Sequence, residues 1–205
     1  MYGNPDGTTL DEVNANTNDS TIKTYLDNWY EENLINYSSY IADSGFCNDR
    51  GISSDYFNSG DGIQSDRSTF YKTYHRYATL NVPSLLCENV SNDLFTVSNE
   101  LGNHALTYPI GMITVDELML AGSSNNKLNT LTYTYSIRNY WTMSPYVYNS
   151  SAIASSEFIS NGNGSVTSNW ISYDSGVRPV INLNANVEIT GGIGTQNEPF
   201  MVKTT

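Results

Sequence analysis

Few residues in this chain are of a type that does acid, base or metal chemistry, and those few are scattered. There are two histidines, His75 and His104. They stand far apart, and no cysteine pair has clamp spacing, so no metal site is expected. His104, within Gly102-Asn103-His104-Ala105, reads as a turn or core histidine rather than a general base. Glycoside hydrolysis by paired carboxylates needs two of them held roughly 5 to 10 Å apart across a cleft. The adjacent pairs Glu31-Glu32 and Asp116-Glu117 fall on helix starts or exposed faces, where helix electrostatics or solubility accounts for them. Calcium needs several oxygens gathered in a loop. Asp43-Ser44-Gly45 with Asn48-Asp49, or the stretch from Asn58 to Gly62, supplies some, but without EF-hand spacing. No cofactor is expected, with calcium left open. Gly191-Gly192-Ile193-Gly194 has no following helix or lysine, so it reads as a turn and not a phosphate cradle.

Recognition chemistry is better represented. Tyrosine and tryptophan offer rigid contact area with a polar tip, and amides add hydrogen bonds. The run from Phe70 to Tyr77 and the segment from Tyr146 to Ser151 concentrate such groups, which makes Tyr74, His75, Tyr77, Tyr146, Tyr148 and Asn149 the candidate ligand-binding residues. Trp29, Trp141 and Trp170 are expected as core anchors. Arg178 lies between small and β-branched residues, so it is expected to be buried, hydrogen-bonded and used to tie loops together. Cys47 and Cys87 either close a loop of about 40 residues, worth ~4 kcal/mol by chain entropy, or remain buried thiols. A nucleophilic cysteine ranks last, since neither has a histidine nearby in sequence.

Composition sets the limits around these groups. At 205 residues with 39% apolar, one domain with a real core is the default. A net charge of -12 repels phosphate backbones and anionic lipid surfaces, so nucleic acid is not an expected partner. Charged residues make up 15%, below the usual quarter or so, while tyrosine, asparagine and serine are plentiful, as in exported bacterial proteins. No stretch approaches about 18 consecutive apolar residues, so no membrane insertion is expected within the chain. Met1-Tyr2-Gly3-Asn4-Pro5-Asp6 is no signal peptide, and the expectation is an export segment upstream of Met1.

The elements that must position these side chains follow from local signals. Residues 1–19 read as a polar lead-in, and 20–205 as a single domain. Ser20 is an N-cap for a helix over 21–33, with Ile22, Tyr25, Leu26 and Trp29 at helical spacing. A short helix is expected around 37–42, then loop from 43 to 81. Strands are expected at 93–97 and 108–113, followed by a helix over 115–121 capped by Thr114 with Glu117 and stopped by Gly122. Beyond it come a strand over 133–141, a hairpin around 161–164, a strand over 177–183, and two strands flanking the late glycines. Short helices early and antiparallel strands and hairpins late give an α+β fold.

Several of these segments carry a family likeness: Asp19 to Lys23 with Trp29-Tyr30, Phe46 to Asp49, Pro83 to Cys87, Ile113 to Glu117, Tyr140 to Pro145, and Gly176 to Leu183. Together they resemble an uncharacterised domain of Gram-positive surface proteins, over nearly all of Ser20 to Lys203. The resemblance implies presentation outside the cell, often behind an export or prepilin-like segment, with strands preceding Met1. The late Trp-x-x-Ser and Gly-x-Arg segments are in turn similar to the C-type-lectin-like fold of formylglycine-generating enzymes and phage receptor-binding variable proteins. Nothing after Cys87 is cysteine, so the copper-holding pair of those enzymes is absent and their activity is not implied. Asn197-Glu198-Pro199 and Asn169-Trp170-Ile171 do not reproduce the calcium-lectin motifs in order, which leaves calcium-dependent sugar binding open.

The expected function is a non-catalytic cell-surface binding or display module, lectin-like or adhesin-like, for a surface glycan or protein ligand. The alternatives are a structural pilin-like subunit and a carbohydrate-active or sulfatase-modifying enzyme. Oligomeric state is left open.

Overall fold

A capping box too short to show a period opens the described chain. Thr9 Oγ1 accepts from the Glu12 N–H at 3.3 Å, and the Glu12 carboxylate takes the Thr8 and Thr9 N–H groups at 2.9 and 3.1 Å. The result is α1, Leu10–Val13. In this computed structural model the described residues are 7–53, 68–125, 127–149, 154–160 as backbone, 162–195 and 197–203. Val13 is buried against Tyr71 and Tyr148. Within the expected polar lead-in, residues 8–16 are therefore packed onto the rest: Asn16 Nδ2 donates to the Asn92 carbonyl, and Tyr148 Oη to that of Thr8.

Ser20 caps α2, Thr21–Asn33, by accepting from the Lys23 N–H at 3.2 Å. Its inward face is set by Leu26 and Tyr30, four residues apart and both almost fully buried. Trp29, expected as the anchor, is only half-buried against the same cluster; its position one residue before Tyr30 turns it to the flank. Tyr30 stacks on Tyr108 with ring centroids 4.7 Å apart. A 3₁₀ helix, Ile35–Tyr40, then leads into two short strands, β1 (Ile41–Ala42) and β2 (Phe46–Cys47).

The stretch expected as loop over 43–81 is structured at both described ends. Strand β3 (Ser68–Phe70) runs into α3 (Lys72–His75), which continues as a π-helical turn, Arg76–Leu80. Its aromatic residues carry no polar–apolar period because they pack on two sides, which hid the helix in the sequence. Next come α4 (Val90–Asp93), β4 (Leu94–Phe95) and β5 (Gly111–Met112). The capping box at Thr114 and Glu117 starts α5, Val115–Leu120, and Gly122 follows at φ +103°.

The main sheet is antiparallel with order β3-β6-β7-β8, where β6 is Tyr140–Asn149, β7 Ala154–Ser160 and β8 Val166–Trp170. The hairpin expected around 161–164 joins β7 to β8, with Ser160 opposite Val166. The strand expected over 133–141 starts only at Tyr140; the residues before it are turns.

The strand expected over 177–183 is two short ones, β9 (Pro179–Val180) and β10 (Asn182–Leu183). They pair with different partners, β9 with β5 and β10 with β1. Pro179 has no N–H to extend a ladder, so the segment crosses from one partner to the next. A last hairpin pairs β11 (Ile189–Gly191) with β12 (Met201–Val202) across the late glycines, as expected. The main core lies between α2 and the start of β6, where Trp141 and Met143 are buried with Phe46, Phe95 and Met112. The fold is α+β, with small antiparallel sheets. Among the described residues no helix is long and apolar enough to cross a membrane.

The disulfide is present: Cys47 and Cys87 are bonded, with Cα atoms 5.7 Å apart. It fastens the segment 81–89 to β2. Two braces lie beside it. Arg50 Nε donates to Asp93 at 2.8 Å in an almost wholly buried ion pair. Arg76 is gripped on two sides, by both oxygens of Asp116 and by Asp49, each at 2.8 Å.

Candidate functional site

The site grows out of one loop, 132–139, and the way the chain holds it. Thr134 is buried, and its carbonyl accepts from two donors, Tyr140 Oη at 2.7 Å and Arg178 Nη1 at 2.6 Å. Arg178 Nη2 also donates to the Tyr133 carbonyl at 3.3 Å, and the guanidinium lies 5.4 Å over the Tyr140 ring. A loop carbonyl with two side-chain donors, one of them charged, is fixed well beyond what a surface turn needs.

The segment bearing Arg178 is itself fastened to the start of β6. Gly176 bridges to Tyr140 in parallel, with Trp141 N–H donating to Gly176 O at 2.9 Å and Gly176 N–H to Asn139 O at 3.0 Å. A Cβ on Gly176 would come within 2.8 Å of that Asn139 oxygen, so only glycine allows the approach. On the other side, Asn139 Oδ1 accepts from Gly162 N–H at 2.8 Å, and Tyr135 Oη donates to the Gly162 carbonyl at 3.4 Å.

These fixed points enclose an open groove of about 660 Å³, between the loop, residues 176–178, and Gly194-Thr195 of the last hairpin connection. That volume is ordinary for a small-ligand site. On the loop, Tyr133 is 72% exposed and Ile137 76%, while Arg138 and Asn139 are exposed beside them. The groove therefore offers aromatic faces, amide hydrogen bonds and guanidinium donors on a backbone pinned from below.

A second cavity, of about 300 Å³, lies beside the disulfide and is lined in part by Asp49, Arg76, Ser84, Thr114 and Asp116. Its charges are already spent on one another. Burial opposes the charge on Arg76, and Asp116 and Asp49 outweigh it, so its pKa lies above the ordinary arginine value. Asp116 also accepts the Ser84 N–H at 2.9 Å, which binds the segment 81–89 to the start of α5. The expectation that helix electrostatics or solubility accounts for Asp116 is corrected: it is 4% exposed and clamps Arg76 with both oxygens.

The sequence-derived ligand residues fall elsewhere. Tyr74 and Tyr146 do come together, edge to face at 4.6 Å, with Phe70 beside both. They pack on a small core that holds Tyr77, Val115 and Leu118. Tyr77 and Tyr148 are 3% and 2% exposed, and their hydroxyls donate to the carbonyls of Val166 and Thr8. Both are corrected from ligand surface to packing, because the π-helical turn points Tyr77 inward and β6 does the same for Tyr148. Asn149 Nδ2 donates to Ser68 Oγ, and His75 is half-buried in α3.

Trp141 is buried as expected, whereas Trp170, at the end of the edge strand β8, is 40% exposed and anchors no core. Arg178 ties a loop, but from a half-buried position. Of the calcium candidates, Asp43 accepts the N–H groups of Val97 and Ser98, and Asp49 is held by Arg76. The stretch from Asn58 to Gly62 lies outside the described residues. Among those residues no three His, Cys, Asp or Glu side chains gather as a metal set. The signal for the groove is legible only in part: Tyr133-Thr134-Tyr135 alternates like a strand, whereas the chain there forms turns.

Compared with family models, curated proteins and solved structures, the chain matches none.

Proposed function

We propose that the protein is a non-catalytic recognition module displayed at a bacterial cell surface, and that the groove beside Tyr133 receives its ligand. The observation that carries this reading is the doubly bonded Thr134 carbonyl. It holds a loop rigid while Tyr133 and Ile137 on either side stay open to solvent. Exposed aromatic and aliphatic groups on a fixed backbone lose little entropy on binding.

The disulfide supports an oxidising, exported setting. A C-type-lectin-like arrangement is part of the same reading, favoured by the early helix α2 and the late antiparallel sheet with its crossing segment at Gly176 to Leu183. The ligand class that suits tyrosine stacking with amide and guanidinium donors is a glycan.

Glycan-array binding of the oxidised domain, with and without calcium, tests the reading. Selective binding lost in Tyr133→Ala at unchanged melting temperature is the expected result. Absence of selective binding, or binding indifferent to Tyr133→Ala, contradicts it.

A further inference from the structure

The distribution of positive charge narrows the ligand further, given the recognition reading on which this step rests. Lys23, Arg50, Lys72, Arg76 and Lys203 each sit on a carboxylate. Arg67 lies outside the described residues. Lys127, Arg138 and Arg178 have no carboxylate partner among the described residues, and two of these three line the same groove. In a chain of net charge -12, with 21 acidic side chains, two neighbouring arginines without a carboxylate partner among the described residues form a local positive patch that suits an anionic ligand. The described lining of the groove contains no carboxylate.

We propose that the groove binds an acidic glycan, a saccharide carrying a uronate-type carboxylate. Arg178 spends one N–H on Thr134 and one on Tyr133, and the rest of its five donors have no hydrogen-bond partner among the described residues. Arg138 is exposed with its guanidinium unengaged by any described carboxylate. A planar fork of this kind matches a carboxylate two oxygens at a time. Tyr133 supplies the flat face on which a sugar ring stacks, and Asn139, its Oδ1 held by Gly162, has no partner for Nδ2 among the described residues and offers it as a donor for hydroxyls.

The protein's overall negative charge does not defeat this. At physiological ionic strength a charge is screened beyond about 8 Å, so the two guanidiniums set the field inside the groove. The global charge instead selects against polyanions that need a broad positive surface.

The test uses the oxidised domain in calorimetric titration with two probes, a glucuronate-containing tetrasaccharide and the same tetrasaccharide with its carboxyls reduced to alcohols. The expected result is at least about tenfold tighter binding of the acidic form, a gap of ~1.4 kcal/mol. Arg138→Gln is expected to close that gap at unchanged melting temperature. Equal affinity for both probes, each lost in Tyr133→Ala, overturns the acidic assignment while the recognition reading stands. Acidic binding indifferent to both Arg138→Gln and Tyr133→Ala overturns both. Capture of a polyglutamate peptide with neither saccharide bound overturns the glycan in favour of an acidic peptide.

Discussion

Arg178 and Tyr140 converge on one oxygen: both donate to the carbonyl of Thr134, at 2.6 and 2.7 Å, while the guanidinium lies over the phenol ring. The pair joins the late crossing segment to β6 and decides where Tyr133 stands. Tyr140→Phe keeps the buried ring and removes one of the two donors. The expected cost is about 1 kcal/mol of stability, the net worth of one hydrogen bond. Loop 132–139 should loosen accordingly, seen as faster amide exchange at Tyr135 and Arg138 while the sheet keeps its protection.

The disulfide holds 81–89 against β2, and Ser84 N–H adds a bond to Asp116. Reduction, or Cys47→Ser with Cys87→Ser, is expected to lower the unfolding free energy by up to ~4 kcal/mol. Denaturant unfolding of oxidised and reduced protein measures it. Glycan binding at the groove should survive under native conditions, since no residue of 81–89 lines it.

Tyr77 gives the alkaline limit. Burial pushes its hydroxyl up to about 12, against about 10 in an unfolded chain. A raised pKa means that its contribution to stability is fully present below about pH 10 and is lost as pH rises through about 12. Stability should therefore fall across that window. Tyr77→Phe removes this part of the fall and forfeits the hydrogen bond to the Val166 carbonyl. Tyrosinate absorbance followed alongside denaturant melts separates the two effects.

What was legible in the sequence was short-range. Ser20 with Lys23, Thr114 with Glu117, and the turn between β7 and β8 each act over a few residues, and each element formed where its signal lay. What was not legible depends on contacts far apart in the chain. Arg76 meets Asp116 across 40 residues, and Arg178 meets Thr134 across 44. Neither pairing leaves a periodic trace. Tyr77 and Tyr148 read as surface in the sequence because tyrosine serves both roles, and only the facing of β6 and the π-helical turn decides between them. The groove was hidden for the same reason: its wall from Gly176 to Arg178 reads alone as part of a buried strand, and becomes a rim only when Gly176 docks on Asn139.

The central claim is that ligand is received between Tyr133 and Arg178. Its most direct test is amide chemical-shift mapping of the isotope-labelled, oxidised domain titrated with the glucuronate tetrasaccharide. The account predicts saturable shifts concentrated at 133–140, 176–178 and 194–195, absent in Tyr133→Ala. Shifts centred on Arg76, Ser84 and Asp116, or on Tyr74 and Tyr146, would contradict it.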